Sequence, residues 1–308
     1  MPAPVSPPFT APGVRADLAG LWAPLITPFL PDDGLAGVDH AALASLTRRL
    51  ADDGIDGFVV CGTTGEAAAL TDEEKLACLD TVAQHASHTP LLVGAGSEQW
   101  QATRDWVLRV AHKAQTDCPN VTGILLTAPH YIRPSQSGIQ QWFESLADAS
   151  PLPIVVYDIP YRTGATINRD TLLALAAHPN IVGVKDCGGD PGKTLAMLAD
   201  GRLQMLAGED LAIFSHLSLG GAGAIAASLH LRTPEFVKLR QLIASGDLAQ
   251  ARQLWHPLVP LIEALFAEPN PGPLKAALAQ LGCCHPDTRA PLTAASHNTW
   301  TRLAALVR

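Results

Sequence analysis

Short apolar, β-branched runs alternate with longer amphipathic segments eight times along this chain. Each intervening segment is long enough for a helical crossover, so the pattern predicts parallel strands within one sheet. Eight such units favour a closed (β/α)8 TIM barrel, since closure leaves no exposed sheet edge. An open doubly wound sheet is the alternative. The predicted strands span residues 20–26, 57–61, 91–94, 123–127, 154–157, 181–185, 203–206 and 222–226.

Apolar residues at helical spacing occur between the predicted strands, and after the last strand they continue to the end of the chain. Thr71 and Glu74 form a capping-box pattern, and Asn168 is a second predicted helix cap. After about Leu231 the strand signal stops. We therefore expect a flexible N-terminal tail at 1–18, a catalytic barrel at 19–245 and a C-terminal helical domain at 246–308. The predicted helices are 39–52, 71–85, 100–114, 138–149, 168–177, 233–245, 248–266, 271–281 and 299–307.

Composition excludes several classes of function. The net charge of −8 argues against nucleic-acid binding, and no apolar stretch reaches the roughly 20 residues of a membrane helix. The proline-rich start does not fit a signal peptide. Six cysteines are too few for a disulfide scaffold in 308 residues, and Cys283-Cys284-His285 lacks a second ligand pair for zinc. The glycine motifs at 94–96 and 192–194 are incomplete nucleotide-binding patterns. We expect a cytoplasmic protein without metal or cofactor.

Lys185 ends the apolar run 181–184, where a buried strand would not ordinarily carry a charge. Burial disfavours the ammonium form of a lysine and so increases its neutral, nucleophilic fraction. Such an amine can form a Schiff base with a carbonyl substrate. The alternative, commoner for a lone lysine, is a side chain that reaches solvent or pairs with Asp186. The other five lysines occupy polar or helical contexts: Lys75, Lys113, Lys193, Lys238 and Lys275.

Polar side chains follow the carboxyl ends of several predicted strands, which is where a barrel enzyme assembles its active site. Tyr157 could shuttle a proton opposite Lys185 or simply be a buried aromatic residue. The glycine-bounded loop with Thr63 and Thr64 could bind a carboxylate or serve backbone geometry alone. Arg162 could fix a second carboxylate or be a surface charge. The rim set is Thr27, Thr63, Thr64, Tyr131, Tyr157, Arg162 and Lys185, and the three tyrosines of the chain, at 131, 157 and 161, all lie there.

Seven short segments together resemble one enzyme family. They are, in order, Gly62-Thr-Thr-Gly-Glu66, Pro129-His-Tyr131, Arg133-Pro-Ser-Gln136, Tyr157-Asp-Ile-Pro160, Arg162-Thr-Gly164, Val184-Lys185 and Glu268-Pro-Asn-Pro271. The pattern resembles the dihydrodipicolinate synthase family, within the pyruvate-dependent class I aldolases that include N-acetylneuraminate lyase. The resemblance extends from about Gly20 to the C-terminal helices.

The resemblance implies a condensation of pyruvate, as a Schiff base on Lys185, with L-aspartate 4-semialdehyde to 4-hydroxy-tetrahydrodipicolinate, in lysine and diaminopimelate biosynthesis. It also implies a homotetramer, a dimer of tight dimers, in which Tyr131 crosses a subunit interface. The implied roles are a proton relay for Thr63, Tyr157 and Tyr131, binding of the pyruvate carboxylate for Thr64 and of the semialdehyde carboxylate for Arg162, and pocket lining for Gly208 and Ile225.

The chain departs from the family pattern at His130 and Asp158, where the family usually has tyrosine and asparagine. Asp158 leaves open a related lyase acting on a 2-keto-3-deoxy sugar acid or N-acetylneuraminate. A catalytically silent barrel is a third possibility, against which the intact Lys185, Tyr157 and Thr63 argue. Feedback-sensitive relatives bind lysine through polar and histidine side chains after the threonine loop. Because Ala67, Ala68, Asp72 and Lys75 stand there, we predict no regulation by lysine.

Overall fold

A computed structural model, which describes residues 17–31 and 37–307, is a closed barrel of eight parallel strands in sequence order. The first strand pairs with both the second and the eighth, and that pairing closes the sheet. The predicted (β/α)8 barrel is confirmed, and the predicted strand ends agree with the structure to within about two residues. The strands are Gly20–Pro24 (β1), Gly57–Val60 (β2), Leu91–Ala95 (β3), Val121–Thr127 (β4), Ile154–Asp158 (β5), Ile181–Asp186 (β6), Gln204–Ala207 (β7) and Gly223–Ile225 (β8).

Helices surround the barrel, and local sequence explains where some of them begin. Thr71 and Glu74 form the predicted capping box at the start of the helix Asp72–His85. Asn168 occupies the predicted N-cap position of the helix Arg169–Leu175, but its side chain makes no capping hydrogen bond; its backbone N–H donates to the Gln136 side-chain oxygen. These helices are His40–Asp52 (α1), Asp72–His85 (α2), Trp100–Thr116 (α3), Gln136–Ala149 (α4), Pro160–Thr163 (α5), Arg169–Leu175 (α6), Pro191–Asp200 (α7), Ile213–Ser218 (α8) and Thr233–Ala244 (α9).

Two apolar layers hold the barrel together. Side chains from alternate strand positions fill its interior, among them Trp22, Leu125, Val155 and Ile225. A larger cluster joins the outer face of the sheet to the helices. Because the interior is packed, a ligand can reach only the ends of the barrel.

The C-terminal helices follow α9 and contain one break that the sequence pattern did not reveal. The predicted single helix 248–266 is wrong, since a 3₁₀ turn at His256–Leu258 interrupts it. Pro257 and Pro260 lack the amide hydrogen that a continuous helix requires. The helices are Leu248–Trp255 (α10), Val259–Leu265 (α11), Gly272–Gln280 (α12) and His297–Ala304 (α13). None of the described helices is long and apolar enough to cross a membrane.

The predicted N-terminal tail lies outside the described residues except for Asp17 and Leu18. Leu18 is fully buried, and its carbonyl oxygen accepts a hydrogen bond from the Trp22 indole at 3.0 Å. The boundary at 245 between the barrel and the C-terminal domain stays a prediction.

Candidate active site

A cavity of about 1020 Å³ lies where several strands end. Four predicted site residues line it: Thr63, Tyr131, Tyr157 and Arg162. The cavity lining does not include the other four predicted site residues. These are buried, or packed directly beside the buried residues: Lys185, Thr64, Gly208 and Ile225. The structure therefore brings the predicted site together in two layers, an open rim and a buried floor.

Tyr157 and Lys185 are direct neighbours in register on β5 and β6. Adjacent residues in register project from the same face of a parallel sheet, and Tyr157 belongs to the interior cluster. The Lys185 Nζ lies 4.1 Å from the centre of the Tyr157 ring, and both residues are 6 % exposed. The ammonium group is thus held against the face of a phenol at the cavity floor.

The alternative pairing of Lys185 with Asp186 is wrong. Asp186 occupies the next strand position and so faces the helices, where it accepts hydrogen bonds from the Gly188 N–H and the Thr194 hydroxyl. Within residues 17–31 and 37–307, no carboxylate oxygen lies within 4.0 Å of the Lys185 ammonium. Lys185 is buried without a salt-bridge partner, which suits a nucleophile better than a structural ion.

Burial raises the pKa of Tyr157 well above its ordinary value, with a smaller contribution from Cys187. A hydrogen bond with Thr63 and the positive charge of Arg162 act in the opposite direction. Tyr157 therefore stays a protonated phenol at neutral pH. A phenol hydrogen-bonded to a second hydroxyl can pass a proton along the pair.

The threonine loop, residues 62–66, is held in place by contacts with distant parts of the chain. Thr64 is 4 % exposed, and its Oγ1 accepts a hydrogen bond from Asn270 at 2.9 Å. The Thr27 hydroxyl donates to the Gly65 carbonyl oxygen at 2.7 Å. Glu66 has a left-handed backbone and lies 2.5 Å from the Lys275 ammonium. The loop is therefore a rigid element, as a binding site for a small anion requires.

Gly208 and Ile225 shape the surroundings of Lys185. A Cβ atom at Gly208 would lie 2.4 Å from the Cys187 Sγ and 2.9 Å from the Lys185 Cγ, so only glycine fits. Ile225 is fully buried in the same interior cluster as Tyr157. Both predicted lining residues border the floor and not the open cavity.

Tyr131 and Arg162 belong to the rim. Tyr131 has a left-handed backbone, its N–H donates to the Thr163 carbonyl oxygen, and the residue is 89 % exposed. Arg162 stacks beside Tyr161, with its guanidinium carbon 5.8 Å from the ring centre. A large exposed aromatic side chain on a defined turn is typical of a surface that contacts another molecule.

The two departures from the family pattern have different surroundings. Asp158 is fully buried on the outer side of β5, where it lies 2.5 Å from Lys193, and it does not line the cavity. His130 does line the cavity, and its Nε2 lies 2.8 Å from the Thr127 hydroxyl. Burial lowers the pKa of His130, which keeps the ring neutral. Of the two residues, only His130 can contact a substrate in the cavity. Asp158 cannot select a substrate by direct contact, because it is buried against Lys193 outside the cavity.

Sequence reasoning missed the surroundings of two lysines. Both lie in helices, consistent with the predicted polar or helical contexts, but Lys193 is 4 % exposed and Lys275 is fully buried, which the sequence pattern did not indicate. Each is paired with a carboxylate, Asp158 or Glu66. The incomplete phosphate-binding pattern at 192–194 finds its explanation here, since Lys193 and Thr194 contact the outward acids of β5 and β6. The sequence signal that could have revealed these contacts of Lys193 and Thr194 is the pair of acids that end β5 and β6, Asp158 and Asp186.

No group of three or more potential metal ligands occurs in the part of the chain that the structure describes. Ala67, Ala68, Asp72 and Lys75 line one side of the cavity. The Asp72 carboxylate contacts both Lys75, at 3.2 Å, and Arg109, at 2.8 Å. The only acid of this group is thus already neutralised by two cations.

Comparison with known proteins gives a consistent family assignment. The model of the dihydrodipicolinate synthetase family matches residues 17–308. A 4-hydroxy-tetrahydrodipicolinate synthase of Ligilactobacillus salivarius is 36 % identical, over 91 % of this chain and 94 % of that protein. The pyruvate complex of the chloride-inhibited dihydrodipicolinate synthase from Acinetobacter baumannii is similar in structure, with a TM-score of 0.87, 30 % identity and coverage of 94 % and 97 % of the two chains. The lysine-bound enzyme of Cyanidioschyzon merolae has a TM-score of 0.85, 31 % identity and coverage of 94 % of each chain.

Proposed function

The chain belongs to the dihydrodipicolinate synthetase family, and from that premise we propose that Lys185 forms a Schiff base with pyruvate. The protein is a class I, pyruvate-dependent lyase that condenses pyruvate with L-aspartate 4-semialdehyde to 4-hydroxy-tetrahydrodipicolinate in lysine biosynthesis. The observation that supports Lys185 as the nucleophile is its burial, without a carboxylate partner, 4.1 Å from the Tyr157 ring centre.

In the proposed mechanism the neutral Lys185 amine attacks the keto carbon of pyruvate. Tyr157 gives a proton to the departing oxygen, which leaves as water, and Thr63 carries protons to and from Tyr157. Loss of a proton from the pyruvate methyl group gives an enamine, which attacks the aldehyde carbon of the semialdehyde. The amino group contributed by the semialdehyde then attacks the Schiff-base carbon; the bond from that carbon to the Lys185 nitrogen breaks, which closes the ring of 4-hydroxy-tetrahydrodipicolinate and regenerates the amine. The protonated state of Tyr157 supports its role as the acid.

Two groups would bind the two substrate carboxylates. Thr64, in the loop that Asn270 and Lys275 hold, would donate a hydrogen bond to the pyruvate carboxylate. Arg162, on the cavity lining, would bind the carboxylate of the semialdehyde. Gly208 lets the Lys185 stem and the Cys187 sulfur pack against the backbone, which would hold the amine in place, and Ile225 would close the floor.

We infer that Tyr131 completes the site of a neighbouring subunit in a homotetramer made of two tight dimers. Its 89 % exposure on a defined turn, beside the 55 % exposed Ile132, supports that inference. A cytoplasmic location is supported by six cysteines that are all free and by relatives that are biosynthetic enzymes.

The experiment that tests the proposed reaction is an acceptor panel. Pyruvate is held at saturation, and kcat/KM is measured for L-aspartate 4-semialdehyde and for a series of sugar aldehydes. We expect the semialdehyde to give the highest value, because Arg162 offers a partner for its carboxylate. A sugar aldehyde with the higher kcat/KM would overturn the proposed acceptor and leave the pyruvate half of the reaction standing.

A further inference from the structure

Asn270 connects the C-terminal segment to the substrate end of the barrel. It lies between α11 and α12, lines the cavity and is 9 % exposed. Its side-chain nitrogen lies 2.9 Å from the hydroxyl oxygen of Thr64, which is itself 4 % exposed. A buried amide thus contacts the residue proposed to bind the pyruvate carboxylate.

The hydrogen bond between Asn270 and Thr64 has a fixed direction, because it involves the nitrogen of the Asn270 amide. An amide NH₂ group can only donate, so the Thr64 oxygen is the acceptor and its own proton remains for another partner. Within the described residues, Asn270 is the only hydrogen-bond partner of that hydroxyl. A hydroxyl that accepts on one side is arranged to donate on the other.

We propose that Asn270 is a positioning residue that keeps the Thr64 hydroxyl oriented as a donor toward the pyruvate carboxylate. The inference rests on the proposed function and adds to it a requirement for the C-terminal segment. Asn270 itself need not touch the substrate, since it acts through Thr64.

A second contact fixes Asn270 relative to the threonine loop. Lys275, in the helix that begins just after Asn270, lies 2.5 Å from Glu66, and both side chains are fully buried. The Lys275 backbone N–H also donates to the Pro271 carbonyl oxygen at 2.9 Å. Because the ion pair anchors α12 to the loop, the Asn270 amide is held at a constant position beside Thr64.

Asn270→Asp tests the direction of the hydrogen bond with almost no change of shape. A carboxylate can only accept, so the Thr64 hydroxyl would turn toward it and present lone pairs to the substrate. The added negative charge would also repel the pyruvate carboxylate. We expect KM for pyruvate to rise roughly ten- to hundredfold, the scale for a lost hydrogen bond to a charged group. KM for the semialdehyde should change by less than about threefold.

The pH dependence separates orientation from packing. Protonation of the introduced aspartic acid restores a donor toward Thr64, and burial raises the pKa at which this occurs. We therefore expect the ratio of the pyruvate KM of Asn270→Asp to that of the wild type, measured at each pH, to approach one as pH falls. Asn270→Ala should show a smaller defect with no such recovery. A merely structural role would leave the pyruvate KM of Asn270→Ala, which adds no charge, at the wild-type value.

Two further variants complete the design. Asn120→Asp is the matched control, since Asn120 precedes β4 at the opposite end of the barrel and donates one hydrogen bond to the Thr89 carbonyl oxygen. It should keep the wild-type KM for pyruvate. In a Thr64→Val background, Asn270→Ala should raise that KM by less than about twofold further, because the hydroxyl it orients is gone.

The outcomes are distinguishable. A pyruvate KM for Asn270→Asp within about twofold of wild type, or a defect that does not change with pH, would overturn the role of Asn270 alone. Full additivity of Asn270→Ala and Thr64→Val would do the same. Failure of wild-type protein to form a borohydride-reducible adduct with pyruvate would overturn the proposed function instead.

Discussion

The Lys193 ammonium lies 2.5 Å from the Asp158 carboxylate, and the pair is buried on the outer side of β5. The preceding residue, Tyr157, faces the barrel interior. Two consecutive residues of one strand therefore have separate tasks, because successive side chains point to opposite faces of the sheet. Asp158 fastens the strand to the helix layer, and Tyr157 serves the chemistry.

Asp158→Asn should destabilise the protein without changing its choice of aldehyde. The substitution leaves the Lys193 charge buried without a counter-ion, and we expect the free energy of unfolding to fall by about 3 kcal/mol. Urea unfolding measures the loss. The ratio of kcat/KM values for the semialdehyde and for sugar aldehydes should stay within about threefold of wild type.

The double variant Asp158→Asn/Lys193→Met is the control for this pair. It removes both charges, so most of the lost stability should return. A new aldehyde preference in Asp158→Asn at unchanged stability would show that Asp158 acts on the substrate after all.

Tyr157→Phe should lower turnover by roughly 100-fold or more, the usual scale for a general acid–base group. Pyruvate binding should be largely retained, since only one hydroxyl is lost. Steady-state kinetics with pyruvate titration give both quantities. Tyr161→Phe is the matched control, because Tyr161 lines the same cavity and is 65 % exposed. A change within a few-fold for both variants would reduce Tyr157 to a packing residue.

Lysine at millimolar concentration should leave the condensation rate nearly unchanged. The Lys75 ammonium repels that of the ligand, and the alanines at 67 and 68 offer no hydrogen bond to offset desolvation. Asp72, the acid nearby, is already paired with Lys75 and Arg109. Initial rates at saturating substrates, with calorimetry for binding, test this. Half-inhibition below about a millimolar, an affinity of roughly −4 kcal/mol, would contradict it.

His230 should make the fold acid-sensitive. Burial lowers the pKa of this residue from 6.5 to about 4, while its ring contacts the Ala227 carbonyl oxygen and the Ile26 N–H. A base whose pKa is lowered by folding stabilises the protein above its unfolded pKa and loses that contribution as pH falls. The window is therefore about pH 6.5 to 4, and its size is roughly 3 kcal/mol.

Chemical unfolding at several pH values measures this contribution. His230→Gln, which stays neutral, should show a shallower fall in unfolding free energy across the same window. Equal slopes for both proteins would mean that His230 protonates as easily in the folded state as in the unfolded one.

The barrel could be predicted from the sequence because parallel strands buried on both faces leave continuous apolar runs. Lys185 and Tyr157 were recognisable at the ends of two such runs. The break at Pro257 was missed because apolar periodicity continues through the 3₁₀ turn. The spacing of apolar residues indicates which face of a helix is buried, but it does not indicate which backbone hydrogen bonds form.

Long-range polar contacts could not be predicted. Lys275 and Glu66 are separated by most of the chain, and the apolar residues around Lys275 indicate its burial but not its partner. The same holds for Asn270, which belongs to a recognised motif but whose partner, Thr64, becomes apparent only in three dimensions. A lone polar residue gives no indication of its partner until the fold brings the two together.

The central claim is that Lys185 is the Schiff-base nucleophile, and peptide mapping after reduction tests it most directly. Protein is incubated with pyruvate and borohydride, digested and analysed by mass spectrometry. We predict one reduced pyruvate adduct, on the peptide that contains Lys185, and its loss in a folded Lys185→Arg variant. Lys193 and Lys275 are internal controls, because both are buried in ion pairs. An adduct on either of them, or one that persists in Lys185→Arg, would contradict the account.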